Sequence, residues 1–499
     1  MRDDAPGATR DDNPSGWRFG AADVAACASL ALLLISAFIL NAYLFPSLAA
    51  LFPAGREIST YCGAAFSVLV AVLAYRRPAA MREGAWSVAC LALFAGGLAL
   101  LYVGLAAGSP VLVALGSPFG GIGAVWFSVL AGLALIKRGP KRSMVIIPTA
   151  FVAKYAVQFG LTALGGVLPL AAALVLYFIC TAPAYLLIRP HVHGIIETIR
   201  ASESPTVLDA TNPSSFLPFS SLVYVSIFLF NAACGFAFAS QGEALSQTAT
   251  LVSFAPVVVV FFVVVAARAR LSADALYQAS ALLVFAGFLL APLALAGGAA
   301  ADRHASSALL YAGSDSFSVL TYYLIAAVGA RNPVGALSTS AFAFAANWLG
   351  IGCGALVAQG IGGLGAHELA PLLWASALVT FLFMLFNFVV MRGFSFEETI
   401  QGVKPAHIAA AGAAAVGEDE PSPTLDDACE AAIARFALTP REGDVLRLLA
   451  RGRTSPVIQE KLFLSHNTVK THVRHIYAKM GIHSQQELID IVETEALSS

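Results

Sequence analysis

Apolar residues in this chain follow two rhythms: long unbroken runs as far as residue 391, and short helical stripes after residue 438. The runs fall at about 21–45, 59–75, 85–106, 111–136, 143–163, 166–188, 217–240, 250–267, 272–297, 305–330, 335–359 and 368–391. An α-helix needs about 20 mostly apolar residues to cross a bilayer, so each run reads as a membrane helix. The Gly-rich fourth and eleventh runs carry the weakest signal. The first run is too long for the core of a signal peptide and reads as the first span. Residues 1–20 ahead of it are polar and read as a short disordered cytoplasmic arm. The longest internal loop, about 189–217, divides the runs six and six.

After residue 438 the punctuation becomes that of four short helices. Thr439, Pro440 and Glu442 have the spacing of an N-cap, a first-turn proline and a capping box, and Gly452 is a stop. Ser455-Pro456 opens a second helix, Ser465 caps a third that runs to about Met480, and Ser484 with Glu487 forms a box for a fourth. The pattern as a whole predicts an all-α protein with four parts. These are the arm 1–20, a bundle of about twelve transmembrane helices (21–392), a linker (393–433) and a compact four-helix domain (434–499).

Composition agrees with the runs. The chain is 58% hydrophobic and only 12% charged, where a soluble domain is nearer a quarter charged. The net charge of −1 says little; its distribution says more. Arg76, Arg77, Arg82, Lys137, Arg138, Lys141, Arg142, Arg189, Arg200, Arg268, Arg270, Arg331 and Arg392 follow the even-numbered runs. The alternate loops hold only Arg56 and Arg303. That asymmetry predicts a multi-pass protein of the bacterial inner membrane with both termini in the cytoplasm. The seven cysteines are scattered and read as packing residues. His191 and His193 make too few ligands for a metal site. No nucleotide loop, nucleophile elbow or zinc spacing occurs, so no enzyme, catalytic residue, metal or cofactor is expected.

In the third tail helix, Val469, Val473, Ile476 and Met480 form one apolar stripe. Asn467, Lys470, Thr471, Arg474 and Ala478 lie on a roughly opposite face. A helix anchored on one side and offering amide, ammonium, hydroxyl and guanidinium groups on the other can enter a DNA major groove. The span from Leu438 to Glu493, with its Leu438-Thr439-Pro440-Arg441-Glu442 opening and Ser465–His472 block, resembles the LuxR-type helix-turn-helix family. The resemblance implies that Lys470, Thr471 and Arg474 face DNA, that Asn467 and Thr468 lie near phosphates, and that the fourth helix supplies a dimer contact. It makes His472 a packed residue. Gln459 departs from the family, which has a small alanine there. Many such modules follow a soluble receiver or autoinducer-binding domain; this chain has none, so its input must come through the membrane or a partner.

The six-plus-six division resembles the major facilitator superfamily, although Ala74-Tyr75-Arg76-Arg77-Pro78 lacks that family's glycine–aspartate signature after the second helix. Lys154, with Gln158 one turn on, and Asp315 sit mid-way along apolar runs, where an ionisable group is costly unless paired or hydrated. With Asn231, Asn347 and Trp348 they are candidates to line a central ligand site; a structural lysine–aspartate pair is the alternative. The Ala/Gly/Pro/acid-rich linker reads as a flexible tether of about forty residues with a typical span of roughly 35 Å.

The chain is thus similar to a class of membrane-bound one-component bacterial transcription regulators. In that reading the bundle senses a small molecule of unknown identity and the tail binds a two-fold-related promoter site as a homodimer. RNA polymerase is a further candidate partner. With a flexible tether, the bundle is expected to act by controlling the proximity of two tails. The alternative is a transporter with an attached regulatory tail; a third reading makes the tail a protein-docking module.

Overall fold

The computed structural model describes residues 19–163, 168–202, 205, 208–209, 215–241, 247–266, 272–295, 300–364, 370–403 and 423–498. Nearly all of the polar arm and residues 404–422 of the linker lie outside them. Among the described residues every regular element is a helix. The first half of the membrane body comprises α1 (Ala21–Ala49), α2 (Gly55–Arg76), α3 (Glu83–Ala106), α4 (Pro110–Ala163) and α5 (Leu170–Ala201). The second half comprises α6 (Leu222–Gln241), α7 (Gln247–Phe261), α8 (Ala273–Leu295), α9 (Ala300–Arg331), α10 (Ala336–Leu364) and α11 (Ala370–Leu385).

Among the described residues, nine helices are long and apolar enough to cross a membrane. One of these, α4, holds two of the predicted runs. A straight helix of its 54 residues would be about 80 Å long. It breaks at Gly139, whose φ of 77° belongs to the left-handed region that favours glycine, and Pro140 follows. Two further runs fall on helices outside the nine: α7 is short, and α9 carries several polar residues, including Asp315 in mid-helix. Each predicted run therefore has a helix over most of its described residues.

Small residues set how closely the helices pack. A Cβ added to Gly354 or Gly350 of α10 would meet the Ala232 or Phe228 carbonyl of α6 at 1.9 and 2.3 Å, and one on Gly235 would meet Ile351 O at 2.2 Å. Backbones this close leave room only for hydrogen, which is how apolar helices gain dispersion contact without help from water. The two halves share one continuous core. They are bonded together at several levels: Gln359 to Glu57 (2.6 Å), Lys154 to Asp315 (2.6 Å), and the Ser67 hydroxyl to the Ala341 carbonyl (2.7 Å).

The polar connections differ from the sequence reading. The segment taken as a loop from residue 189 remains helical in α5 through Ala201. The segment taken as tether, 393–433, is helical at both ends. Helix α12 (Phe396–Gly402) is capped by Ser395 and buries Phe396 and Ile400 against the membrane body. The Asp274 carboxylate accepts from Ser395 Oγ (2.7 Å) and Phe396 N (2.6 Å), and Arg331 donates to the Gln401 and Val403 carbonyls. At the other end, α13 (Pro423–Arg435) buries Ala428, Cys429 and Ala432 in the tail's own core. Burial pushes the Cys429 thiol up to about 11.

The tail has a core separate from that of the membrane body. Beyond α13 it contains α14 (Pro440–Ala450), α15 (Ser455–Leu462), α16 (His466–Met480) and α17 (Gln485–Ser498). A fifth helix thus joins the four that the caps predict, and Arg435 of α13 is ion-paired with Glu495 of α17.

Candidate nucleic-acid interface and central cavity

Helix α16 is held by the features its sequence carries. Ser465 Oγ accepts from Thr468 N (3.2 Å), and Gly481 ends the helix in the left-handed region. Val469, Val473 and Ile476 are fully buried, with Tyr477 and Met480 nearly so. Asn467, Thr471, Arg474 and Ala478 are exposed; Thr468, Lys470 and His472 are half-buried. The stripe and the polar face therefore separate as the periodicity predicts. Gln459, the departure from the LuxR pattern, folds its amide back onto Ser455 Oγ (2.9 Å) and leaves the polar face of α16 untouched.

The turn between α15 and α16 is tight. Phe463 takes φ 53°, in the left-handed region, and is 95% exposed at the head of α16. Nothing in the apolar periodicity singles out that residue. The far end of α16 is tied back to α14. Thr439 N donates to Glu442 Oε2 (2.8 Å), Glu442 N donates to Thr439 Oγ1 (3.3 Å), and Lys479 Nζ donates to Glu442 Oε2 (2.6 Å) and Ala437 O (3.1 Å). Burial alone would raise the Glu442 carboxyl. The bonds from Lys479 and Thr439 outweigh it and hold the group below its ordinary value. Box and lysine together fix the angle at which α16 leaves the domain.

The polar face of α16 looks toward the membrane body. Lys470 is ion-paired with Asp209, whose carboxylate also accepts from the Tyr75 phenol at 2.7 Å. A cleft of about 930 Å³ separates the two domains here. Tyr75, Asp209 and Phe216–Ser220 form one wall; Lys470, Thr471, Arg474 and His475 belong to the other. Asp209 and Tyr75 carry no local signal in the sequence.

A second site lies between the halves of the membrane body. Lys154 on α4 and Asp315 on α9 are paired at 2.6 Å, with their side chains 12% and 18% exposed. Tyr155 donates its phenol to the same Asp315 oxygen (2.6 Å), and the Lys154 ammonium lies 4.1 Å from the centre of the Tyr155 ring. Gln158 Nε2 donates to Thr250 Oγ1 (3.3 Å), while Gln158 Oε1 is buried with no hydrogen-bond partner. These residues line a cavity of about 280 Å³ together with Asn347 and Trp348. Asn231 does not line it. That residue is 3% exposed and donates to the Ile227 carbonyl one turn back (2.8 Å), which corrects its assignment to the ligand site. The glycine contacts between α6 and α10 draw it into the helix interface and away from the cavity.

Residues 437–492 match the family model described as "Bacterial regulatory proteins, luxR family". The tail is a luxR-family helix-turn-helix. This luxR module is 46% identical over 54 residues to an HTH-type transcriptional regulator of Mycobacterium tuberculosis, covering 11% of this chain and 6% of that protein. It is 40% identical over 60 residues to the nitrate/nitrite response regulator protein NarL of Escherichia coli K12, covering 12% of this chain and 28% of that one. The aligned stretch is thus a small part of each relative.

The membrane body has its likeness in solved structures. The major facilitator superfamily proton:xylose symporter XylE superposes with a TM-score of 0.51 at 12% identity, covering 76% of this chain and 98% of that one. A bacterial homologue of the iron transporter ferroportin gives 0.51 at 14% identity, covering 74% and 98%. At such identity the likeness is one of fold: a multi-pass, major-facilitator-like membrane body joined to a luxR module.

Proposed function

We propose that the chain is a membrane-bound one-component transcriptional regulator. Its membrane body binds a small molecule in the cavity around Lys154 and Asp315, and its tail binds a two-fold-related promoter site. One observation carries this reading: a luxR-family module, complete with its recognition helix, follows a major-facilitator-like body on the same chain. Lys470, Thr471 and Arg474 are the groups that face DNA, with Asn467 and Thr468 near the phosphates. Helix α17 offers the dimer contact, and RNA polymerase is the partner through which occupancy would change transcription.

In the cavity, Lys154, Gln158, Asp315 and Asn347 supply polar groups within aromatic walls, the composition of a small-molecule site. The unpartnered Gln158 Oε1 is an acceptor for a donor on the ligand. The loop charges support an orientation with both termini in the cytoplasm, in the inner membrane, where the tail can reach the chromosome.

The test has two arms. Residues 423–499, which have their own core, are used to select duplexes from a random pool; enrichment of a two-fold-related site is expected. No enrichment over an unrelated helical domain would overturn the reading. A reporter fused after Arg392 should be active only as a cytoplasmic fusion.

A further inference from the structure

We propose that the face built by Tyr75, Asp209 and Phe216–Ser220 is a docking surface for the chain's own recognition helix, and that a helix seated there is withheld from DNA. The observation is the ion pair between Lys470 and Asp209. While Lys470 is paired with Asp209, its ammonium points into the cleft between the domains, and a duplex would have to enter that cleft to reach it. Thr471 and Arg474, the other two DNA-facing groups, line the same cleft, where they keep contact with solvent but stand opposite the wall of the membrane body. B-DNA, with a major groove about 12 Å wide, needs that face open to solvent over several base pairs, and the opposite wall of the cleft occupies the space.

The surface is built to hold a cation. Asp209 is 5% exposed, and a carboxylate so buried is costly unless paired and hydrogen-bonded. The Tyr75 phenol supplies a hydrogen bond from the membrane side; the Lys470 ammonium supplies the charge from the tail. Aromatic rings brace the wall. Tyr75 packs edge-on to Phe219 at 5.2 Å, and Phe219 lies 4.8 Å from Phe342.

This surface spans both halves of the membrane body. Tyr75 lies in the last turn of α2 in the first half. Phe342 is in α10 of the second, and Asn332, just ahead of α10, donates to the Ser215 carbonyl at 2.8 Å. A change in how the halves meet around Lys154 and Asp315 therefore moves Tyr75 against Phe342 and reshapes the seat. This last link rests on the ligand-sensing reading above; the docking itself does not. A ligand that favours the reshaped body would free the tail by as much as it discriminates between the two states.

The experiment uses the full chain in nanodiscs and a fluorescent mixed-sequence 30-base-pair duplex at low salt, with residues 423–499 alone as the reference. Removing a charge-assisted hydrogen bond from the docked state should raise DNA affinity about tenfold or more. Asp209→Asn should approach the affinity of the free tail, with Tyr75→Phe between it and wild type. A second readout needs no DNA. Thr471 meets solvent inside the cleft, so a Thr471→Cys reporter, followed at that residue by mass spectrometry, should react slowly with a bulky polyethylene glycol maleimide, which the opposite wall obstructs, in the wild-type background and faster with Asp209→Asn. Equal affinities for wild type, Tyr75→Phe and the free tail would overturn the docking, as would equal labelling rates. If the free tail binds no DNA, the regulator reading fails instead, and the labelling still decides the docking.

Discussion

Two lysine–aspartate–tyrosine clusters in this molecule share their chemistry and differ in what surrounds them. In the first, Lys154 and Tyr155 converge on Asp315 between two helices of one folded body. In the second, Lys470 and Tyr75 converge on Asp209, with the lysine carried by a domain that has its own core. The first cluster can lose its lysine only by parting the two halves or by mutation. The second can lose it by moving a domain, because the tail folds without it and DNA offers the ammonium an equivalent anion. An ion pair therefore becomes a switch through the independence of the elements that carry it, whatever its strength.

The contrast is broken most severely by removing a cation. Lys154→Met should destabilise the purified full chain by up to about 3–5 kcal/mol, because Asp315, only 18% exposed, is left without its charge partner. The double variant Lys154→Met/Asp315→Leu should recover most of that loss in thermal unfolding. If the single variant is as stable as wild type, the first cluster is as exchangeable as the second and the distinction collapses. Lys470→Ala should leave the melting of the membrane body unchanged.

A third pair sharpens the comparison from within one domain. Glu442 joins a capping box to Lys479, so Glu442→Gln should cost residues 423–499 about 1–2 kcal/mol in urea unfolding. Its pH dependence has a definite sign. The folded Glu442 carboxyl lies below its ordinary value of 4.5, so its contribution is complete above that value and is lost as pH falls through the folded one. The side chains that face it are Lys479 and His475. Tail stability should fall below about pH 4.5, and Glu442→Gln should flatten that fall. The smallest effect concerns DNA. Lys470→Ala in the isolated tail should lower the slope of log affinity against log salt by about one.

What could be read from the sequence divides by distance along the chain. The box at Thr439 and Glu442, the stripe through Val469, Val473, Ile476 and Met480, and the twelve apolar runs depend on residues within one or two turns of each other. Period and cap spacing expose such features directly. The depth of Lys154 and Asp315 in apolar runs made their pairing foreseeable, since each needed a counter-charge. Asp209 lies in the polar stretch 189–217 between the two halves. Its partner lies 261 residues away, and no local pattern records that. The linker misled for a related reason. Phe396 and Ile400 are too few to show a period, and Ala-rich α13 resembles a tether until Cys429 and Ala432 are seen in the tail's core. Asn231 was misplaced because a polar residue in an apolar run can satisfy itself on its own backbone, as it does on Ile227.

The anchoring of α12 sets a geographic limit on the whole device. With Phe396 held by Asp274 and Val403 held by Arg331, the membrane body keeps hold of the chain as far as residue 403, and the tail's first helix begins at Pro423. Twenty Cα–Cα steps reach at most about 70 Å however they are arranged. In the proposed orientation, a freed tail is confined to a shell beneath the membrane that is thin compared with the cell. It cannot search the chromosome; the chromosome has to bring the operator to it. Control by such a protein would depend on where its target locus lies in the nucleoid, and moving that locus from the periphery to the interior should silence regulation with every residue of the protein intact.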